Sequence, residues 1–153
     1  MCMECLYIGS YGTKSQNQKE LLVKCIAIRR EVFIEEQSVP FEIEQDGLDT
    51  MSSHLLIEKE GVPIATMRMR RTDEGIKLER IAVLKSFRGL GVGKILVNNA
   101  INHLREEEHQ AKIYLHAQES ATQFYTTLSF VFTEEKTVEG GINHVTMVYS
   151  PPL

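Results

Sequence analysis

One junction constrains this chain more than any other. Residues 76–84 are rich in β-branched and aliphatic side chains and read as a strand, while Val92, Ile95, Leu96, Ala100, Ile101 and Leu104 recur at helical spacing. Between them runs Arg88-Gly89-Leu90-Gly91-Val92-Gly93-Lys94. A strand passing through glycines into a helix points to an α/β architecture. It also leaves the first helical N–H groups unpaired, beside the positive end of the helix dipole. Glycines let an anion approach the backbone, and Arg88 and Lys94 add positive charge, so a pyrophosphate is the natural occupant. Two familiar phosphate motifs fail on spacing. A P-loop requires GxxxxGK[ST], but Gly89 lies four residues before Gly93 and Ile95 stands at the Ser/Thr place. A dinucleotide fingerprint requires GxGxxG, and the third glycine would fall at Lys94 or Leu96.

The rest of the pattern is consistent with one domain over 1–153. Leu21, Leu22, Cys25, Ile26, Ile28, Val32 and Phe33 predict an amphipathic helix over 15–36, with Arg29, Arg30 and Glu31 on its other faces. The 37–50 segment is irregular and acidic, and reads as a loop or short helix. Strands are predicted at 54–60, 62–70, 76–84, 112–117, 130–133 and 142–149, with a short helix at 120–128. Three acids at 106–108 oppose the dipole of the long helix, so that end is expected to fray.

Charge narrows the partners. Seventeen Lys+Arg against twenty-one Asp+Glu give a net charge of -4, the wrong sign for a domain that neutralises a phosphate backbone, so no nucleic-acid partner is expected. No apolar run approaches the length of a membrane span, and no leader pattern opens the sequence, so a soluble cytoplasmic protein with no membrane partner is expected. Cys2, Cys5 and Cys25 read as reduced thiols. Cys2-Met3-Glu4-Cys5 reads as an incidental pair on a frayed end or edge strand rather than a metal site. His103 and His109 do not share a helical face, so no metal is assigned.

Arg88, Gly91 and Gly93 match R/Q-x-x-G-x-G/A, the acetyl-CoA pyrophosphate signature of the GNAT family of N-acetyltransferases. Ala121-Thr122-Gln123-Phe124-Tyr125 followed by Leu128-Ser129-Phe130 is similar to that family's A-x-x-F-Y-x-x-L-G-F segment, with Ser129 replacing the usual glycine. Arg30-Glu31-Val32-Phe33, Asp46-Gly47-Leu48-Asp49, Leu115-His116-Ala117-Gln118 and Gly141-Ile142-Asn143-His144-Val145 resemble its YjcF/ElaA-like branch.

The resemblance implies an α/β (α+β) GNAT fold: a mixed, twisted sheet of six to seven strands, about four flanking helices, and an acyl-CoA cleft between two splayed central strands. It implies acetyl-CoA as cosubstrate and a small-molecule or protein amine as acceptor. Backbone groups of Ile81, Ala82 and Val83 would pair with pantetheine, and Arg88, Gly89, Leu90, Gly91, Val92, Gly93 and Lys94 would hold the pyrophosphate. Gln118 and Phe124 would add cofactor contacts. A non-catalytic acyl-CoA sensor or interaction module of the same fold is the alternative. A homodimer formed by pairing of the final strand with its copy is a further expectation.

Acyl transfer to an amine needs an acid for the departing thiolate and a base for the amine. Tyr125 matches the family's usual acid, against which stands a role as a packed core aromatic. For the base, Glu79 lies on the strand that carries the thioester, and alternation places it on one face with Lys77, Ile81 and Val83; an ion pair with Arg80 or Arg68 is the competing role. His116 is the rival base, with His54, His144 and water also open. Glu35, Glu36, Glu42, Glu44, Asp46 and Asp49 form an acidic stretch that would steer an amine or simply be solvated.

Overall fold

The computed structural model describes residues 2–10, 15–108 and 110–151; His109 lies outside the described residues. β1 (Met3–Ile8) is followed by α1 (Gln16–Arg29), which starts where the Ser15 hydroxyl accepts from the Gln18 N–H at 3.2 Å. The helix then widens into π turns over Arg30–Glu36, where the Gln37 N–H reaches back five residues to the Val32 carbonyl. The predicted helix over 15–36 is thus one element with two windings. It leads to α2 (Phe41–Glu44), β2 (Ser53–Lys59), β3 (Val62–Thr72) and β4 (Gly75–Val83). α3 (Val92–Glu107), β5 (Ile113–Gln118), α4 (Thr122–Thr127), β6 (Phe130–Glu139) and β7 (Ile142–Tyr149) complete the chain.

The strands form one mixed sheet in the order β1-β2-β3-β4-β5-β7-β6. Every neighbouring pair is antiparallel except β4 and β5. Those two run parallel and are in register only at Ile76 with Ile113 and Lys77 with Tyr114. On one face, Leu22, Cys25 and Ile28 of α1, with Val32 of the π turns, bury Ile8, Leu56 and Ala82. On the other, Leu96, Val97 and Ile101 of α3 pack with Met67, Leu78, Ile113, Leu115, Phe130 and Met147. This two-faced burial explains why the strands carry apolar residues on both sides rather than a clean alternation.

Strict alternation fails along β4. Thr66 pairs with Ala82 but Arg68 with Glu79, so β4 holds one extra residue, and Arg80 sits at a left-handed φ of 53°. The bulge reverses which face the following residues occupy. Glu79 lies with Lys77 on the α1 face, whereas Ile81 and Val83 pack against the α3-side core. The expectation that all four share one face is therefore corrected.

Other differences have equally local causes. The amino-terminal segment is a true edge strand, paired with β2 from Met3 to Ile8. Cys5 is half-buried and Cys2 exposed, and no cluster of metal-ligating side chains occurs among the described residues. The acidic end of α3 is tied down: Arg71 pairs with Glu108, His103 bonds Glu107 at 2.9 Å, and Arg105 donates to the Ala111 carbonyl at 2.8 Å. β7, the final strand, lies between β5 and β6, so it has no free edge to offer a second copy; the edges of the sheet are β1 and β6. No helix among the described residues is long and apolar enough to cross a membrane.

Candidate active site

Beyond Lys77 and Tyr114, β4 and β5 part, and the gap opens into a cleft of about 640 Å³. Glu79, Ile81, His116, Gln118 and Tyr125 all line it. One wall comes from the segment after α1, including Phe33, Val39, Pro40 and Ile43. The opposite wall is the β6–β7 hairpin, through Glu139, Ile142 and His144. A second cavity of similar size, beside Tyr7, Ser53 and Arg71, is lined by none of the candidate catalytic or cofactor-binding residues.

The glycine junction stands at the head of α3, next to the end of β4. Gly89 and Gly91 have φ of 79° and 81°, and a Cβ at either would meet nothing within 4 Å, so the backbone there is open as well as left-handed. Gly91 caps the helix without any side-chain hydrogen bond, which leaves the first N–H groups of α3 to an incoming anion. Lys94 is exposed beside them, while the Val92 side chain is buried in the core, so only its backbone faces this site. A Cβ on Gly93 would come within 3.4 Å of the Phe124 ring, which brings α3 and α4 together. These features fit a pyrophosphate.

Arg88 is engaged within the chain. Its guanidinium makes two hydrogen bonds to Glu36 at 2.6 and 2.7 Å, and its Nε donates to the Val83 carbonyl at 2.9 Å. Its charge is thus paired within the chain. The hydrogen bond from Arg88 in turn holds the Glu36 carboxyl below the usual carboxylate range.

The acidic stretch is likewise mostly consumed by arginines. Arg29, fully buried, binds Glu44 at 2.6 Å and Asp49 at 2.6 Å. Arg68, 1% exposed, reaches Asp46 at 2.7 Å and Asp49 at 2.9 Å. Arg80 lies 2.9 Å from Glu44 and 3.2 Å from Asp46. Burial raises the pKa of Asp46 and Asp49, but hydrogen bonds and charge from these arginines more than reverse it. The segment after α1 is therefore anchored to the sheet by internal ion pairs. Glu35 and Glu42 remain exposed.

Glu79 belongs to the same network. It accepts from Arg68 at 2.8 Å and from Arg70 at 2.7 and 3.1 Å, with Lys77 3.5 Å away. Burial alone would raise its pKa, yet the Arg70 hydrogen bond and the neighbouring positive charges bring it down to about 2. Such a carboxylate is a weak base.

Tyr125 is packed edge-on between Phe124 and Phe130, with ring centroids 5.1 and 5.9 Å away. Its hydroxyl makes no hydrogen bond to any described residue. Burial pushes its pKa up to about 12, so it keeps its proton at neutral pH. His116 hydrogen-bonds Glu139 through Nδ1 at 2.9 Å, while its Nε2 is buried without a partner. His144 bonds its own hairpin at the Ile142 carbonyl, and His54 is buried against the Asp49 carbonyl at 2.8 Å, away from the cleft. Sequence reasoning missed Glu139 and the Arg88–Glu36 pair, because both depend on contacts between elements far apart in the chain.

Comparison with known proteins gives the family of the chain. The family model described as an acetyltransferase (GNAT) domain matches residues 13–151. A Bacillus subtilis protein named for acetyltransferase activity is 38% identical over 139 residues, covering 89% of this chain and 94% of that protein. YjcF of the same organism, named as an uncharacterized N-acetyltransferase, is 36% identical, covering 85% of this chain and 93% of YjcF. The crystal structure of Escherichia coli ElaA superposes with a TM-score of 0.83 at 25% identity, covering 97% of this chain and 100% of ElaA. With its splayed β4 and β5, its glycine junction and this similarity along most of its length, the chain belongs to the GNAT family of acetyltransferases.

Proposed function

We propose that the protein transfers the acetyl group of acetyl-CoA to a primary amine by direct attack within a ternary complex. The observation that carries this reading is that β4 serves both features: it lines the gap with β5 through Ile81, and the chain leaving it runs directly into the glycine junction, where the head of α3 has no side-chain cap. A nucleotide pyrophosphate at residues 88–94 would direct its arm along the edges of Ile81, Ala82 and Val83 toward Tyr125. Gln118, exposed at the end of β5, lines the cleft, and Phe124 stands against Gly93 at the head of α3.

The bound thioester supplies an electrophilic carbonyl carbon on a good leaving group. The chain supplies the rest. Tyr125, protonated and hydrogen-bonded to no described residue, is the acid for the departing sulfur. Glu79 holds Arg68, Arg70 and Lys77 rather than taking a proton. The acceptor amine enters between the Phe33, Val39, Pro40 and Ile43 wall and the β6–β7 hairpin. Because Glu44, Asp46 and Asp49 are paired with arginines, steering by that acidic segment is weak, and apolar contact contributes more to recognition.

The test is release of free thiol from acetyl-CoA on adding a panel of primary amines, with 2-phenylethylamine and spermidine as aromatic and polycationic probes. Amine-dependent thiol release is the predicted result. Tight acetyl-CoA binding with no release by any amine would overturn the reading in favour of a non-catalytic acyl-CoA sensor.

A further inference from the structure

His116 and Glu139 form a pair whose geometry specifies a proton acceptor. The Glu139 Oε2 lies 2.9 Å from His116 Nδ1 and also accepts from the Thr137 hydroxyl at 3.0 Å. An ionised carboxylate only accepts, so Nδ1 carries the hydrogen, and in the neutral ring Nε2 is left as the acceptor. That Nε2 is buried and has no partner. Thr146, directly opposite His116 on β7, likewise has its Oγ1 buried without a partner. Buried polar atoms are rarely left unpaired, and because His116 lines the cleft, its Nε2 is the one of the two placed to meet a substrate's polar group.

Glu139 is brought to His116 by the fold rather than by sequence proximity. It ends β6 just before the Gly140-Gly141 turn, after an irregularity between Phe132 and Lys136 that gives β6 two extra residues relative to β7. Burial works to raise its pKa, but the Thr137 hydroxyl, Lys77 and His116 together hold it below the usual carboxylate range. Among the groups facing the ring are Lys77 from β4, Glu139 from β6 and His144 from β7, with Tyr114 on its own strand.

We infer that His116 Nε2 is the base of the reaction and that Glu139 is the positioning residue that fixes its tautomer. This rests on the acetyltransferase reading above. As the amine nitrogen forms its bond to the carbonyl carbon, its N–H proton passes to His116 Nε2. The carbon–sulfur bond breaks, and the sulfur takes the Tyr125 proton. One proton then leaves His116 for solvent and one returns to Tyr125, which restores both groups. Glu139, 45% exposed at its side chain, lies on the solvent side of this relay.

The test uses the full chain labelled with nitrogen-15 in its histidines. In the wild type, long-range imidazole spectra at mildly alkaline pH should show His116 protonated on Nδ1. Glu139→Ala should lose that signature, and Glu139→Gln, which keeps an acceptor oxygen, should retain most of it. In thiol-release kinetics, His116→Gln should lower kcat by about 10²-fold or more. Glu139→Ala should lower it by about 10-fold, with Glu139→Gln intermediate and KM for acetyl-CoA unchanged in all three. A wild-type ring protonated on Nε2, or wild-type kcat in Glu139→Ala, would overturn the relay alone. Absence of thiol release in the wild type would overturn the acetyltransferase reading and the relay with it.

Discussion

Arg88 sits at the first motif position of the glycine junction, yet its guanidinium is committed to Glu36 and to the Val83 carbonyl. Its residue type was legible in the sequence; its partner was not, since Glu36 lies fifty-two residues earlier. Ser129 is the converse case. The sequence shows a serine where the family's segment has glycine, and the structure places it at φ of 71°, where an L side chain is strained. Ser129→Gly should therefore stabilise the protein by about 0.5–1 kcal/mol, raising Tm by roughly 1–4 °C in a thermal melt; an unchanged or lower Tm would mean that the turn carries no such strain. Tyr125→Phe should lower kcat by about 10²-fold while KM for acetyl-CoA stays near the wild-type value. Because burial places the phenol near 12, its removal should also leave the neutral and mildly alkaline part of the pH–rate profile unaltered in shape. Full kcat in the phenylalanine variant would remove Tyr125 from the mechanism.

At the scale of elements, the segment from α2 to β2 owes its position to charge rather than to apolar packing. Arg29 reads from its helical spacing as a solvent-facing residue, but it is fully buried and joins Arg68 in binding Asp49. Periodicity cannot reveal this, because a buried arginine and an exposed one occupy the same place in an amphipathic pattern unless the acids that meet it are known. Asp49→Ala should cost about 3–5 kcal/mol in denaturant unfolding, since it leaves two buried guanidinium groups short of a partner; a loss below about 1 kcal/mol would contradict the anchoring role. The same network sets the response to acid. Glu79, Asp46 and Asp49 all have pKa values depressed by folding, to about 2 for Glu79. Unfolded carboxyls titrate near 4, so these groups stabilise the fold fully above that pH, and their contribution falls as pH drops from about 4 toward 2. Denaturant midpoints measured across that range should decline steeply, and much less so in Glu79→Gln. The bulge at Arg80 belongs to this scale as well. It has no local signature, because a left-handed arginine is imposed by pairing with β3, and so the change of face from Glu79 to Ile81 and Val83 could not be read from alternation.

The whole molecule was the most legible level. The glycine junction and the Phe124-Tyr125 segment led to a mixed sheet with a central cleft, and the observed sheet has seven strands with its one parallel pair parting beyond Lys77 and Tyr114. What escaped was the assembly of the cleft's walls, since Glu139 and the anchored acidic segment come from opposite ends of the chain. The central claim is that this opening holds acetyl-CoA by the head of α3. Calorimetric titration of the intact protein with acetyl-CoA and with CoA, repeated on a Gly91→Val, Lys94→Ala variant whose fold is checked by circular dichroism, tests it most directly. Micromolar binding of both ligands, weakened tenfold or more in the variant, is the predicted result; folded wild-type protein that binds neither, or a variant that binds both as tightly, would contradict it.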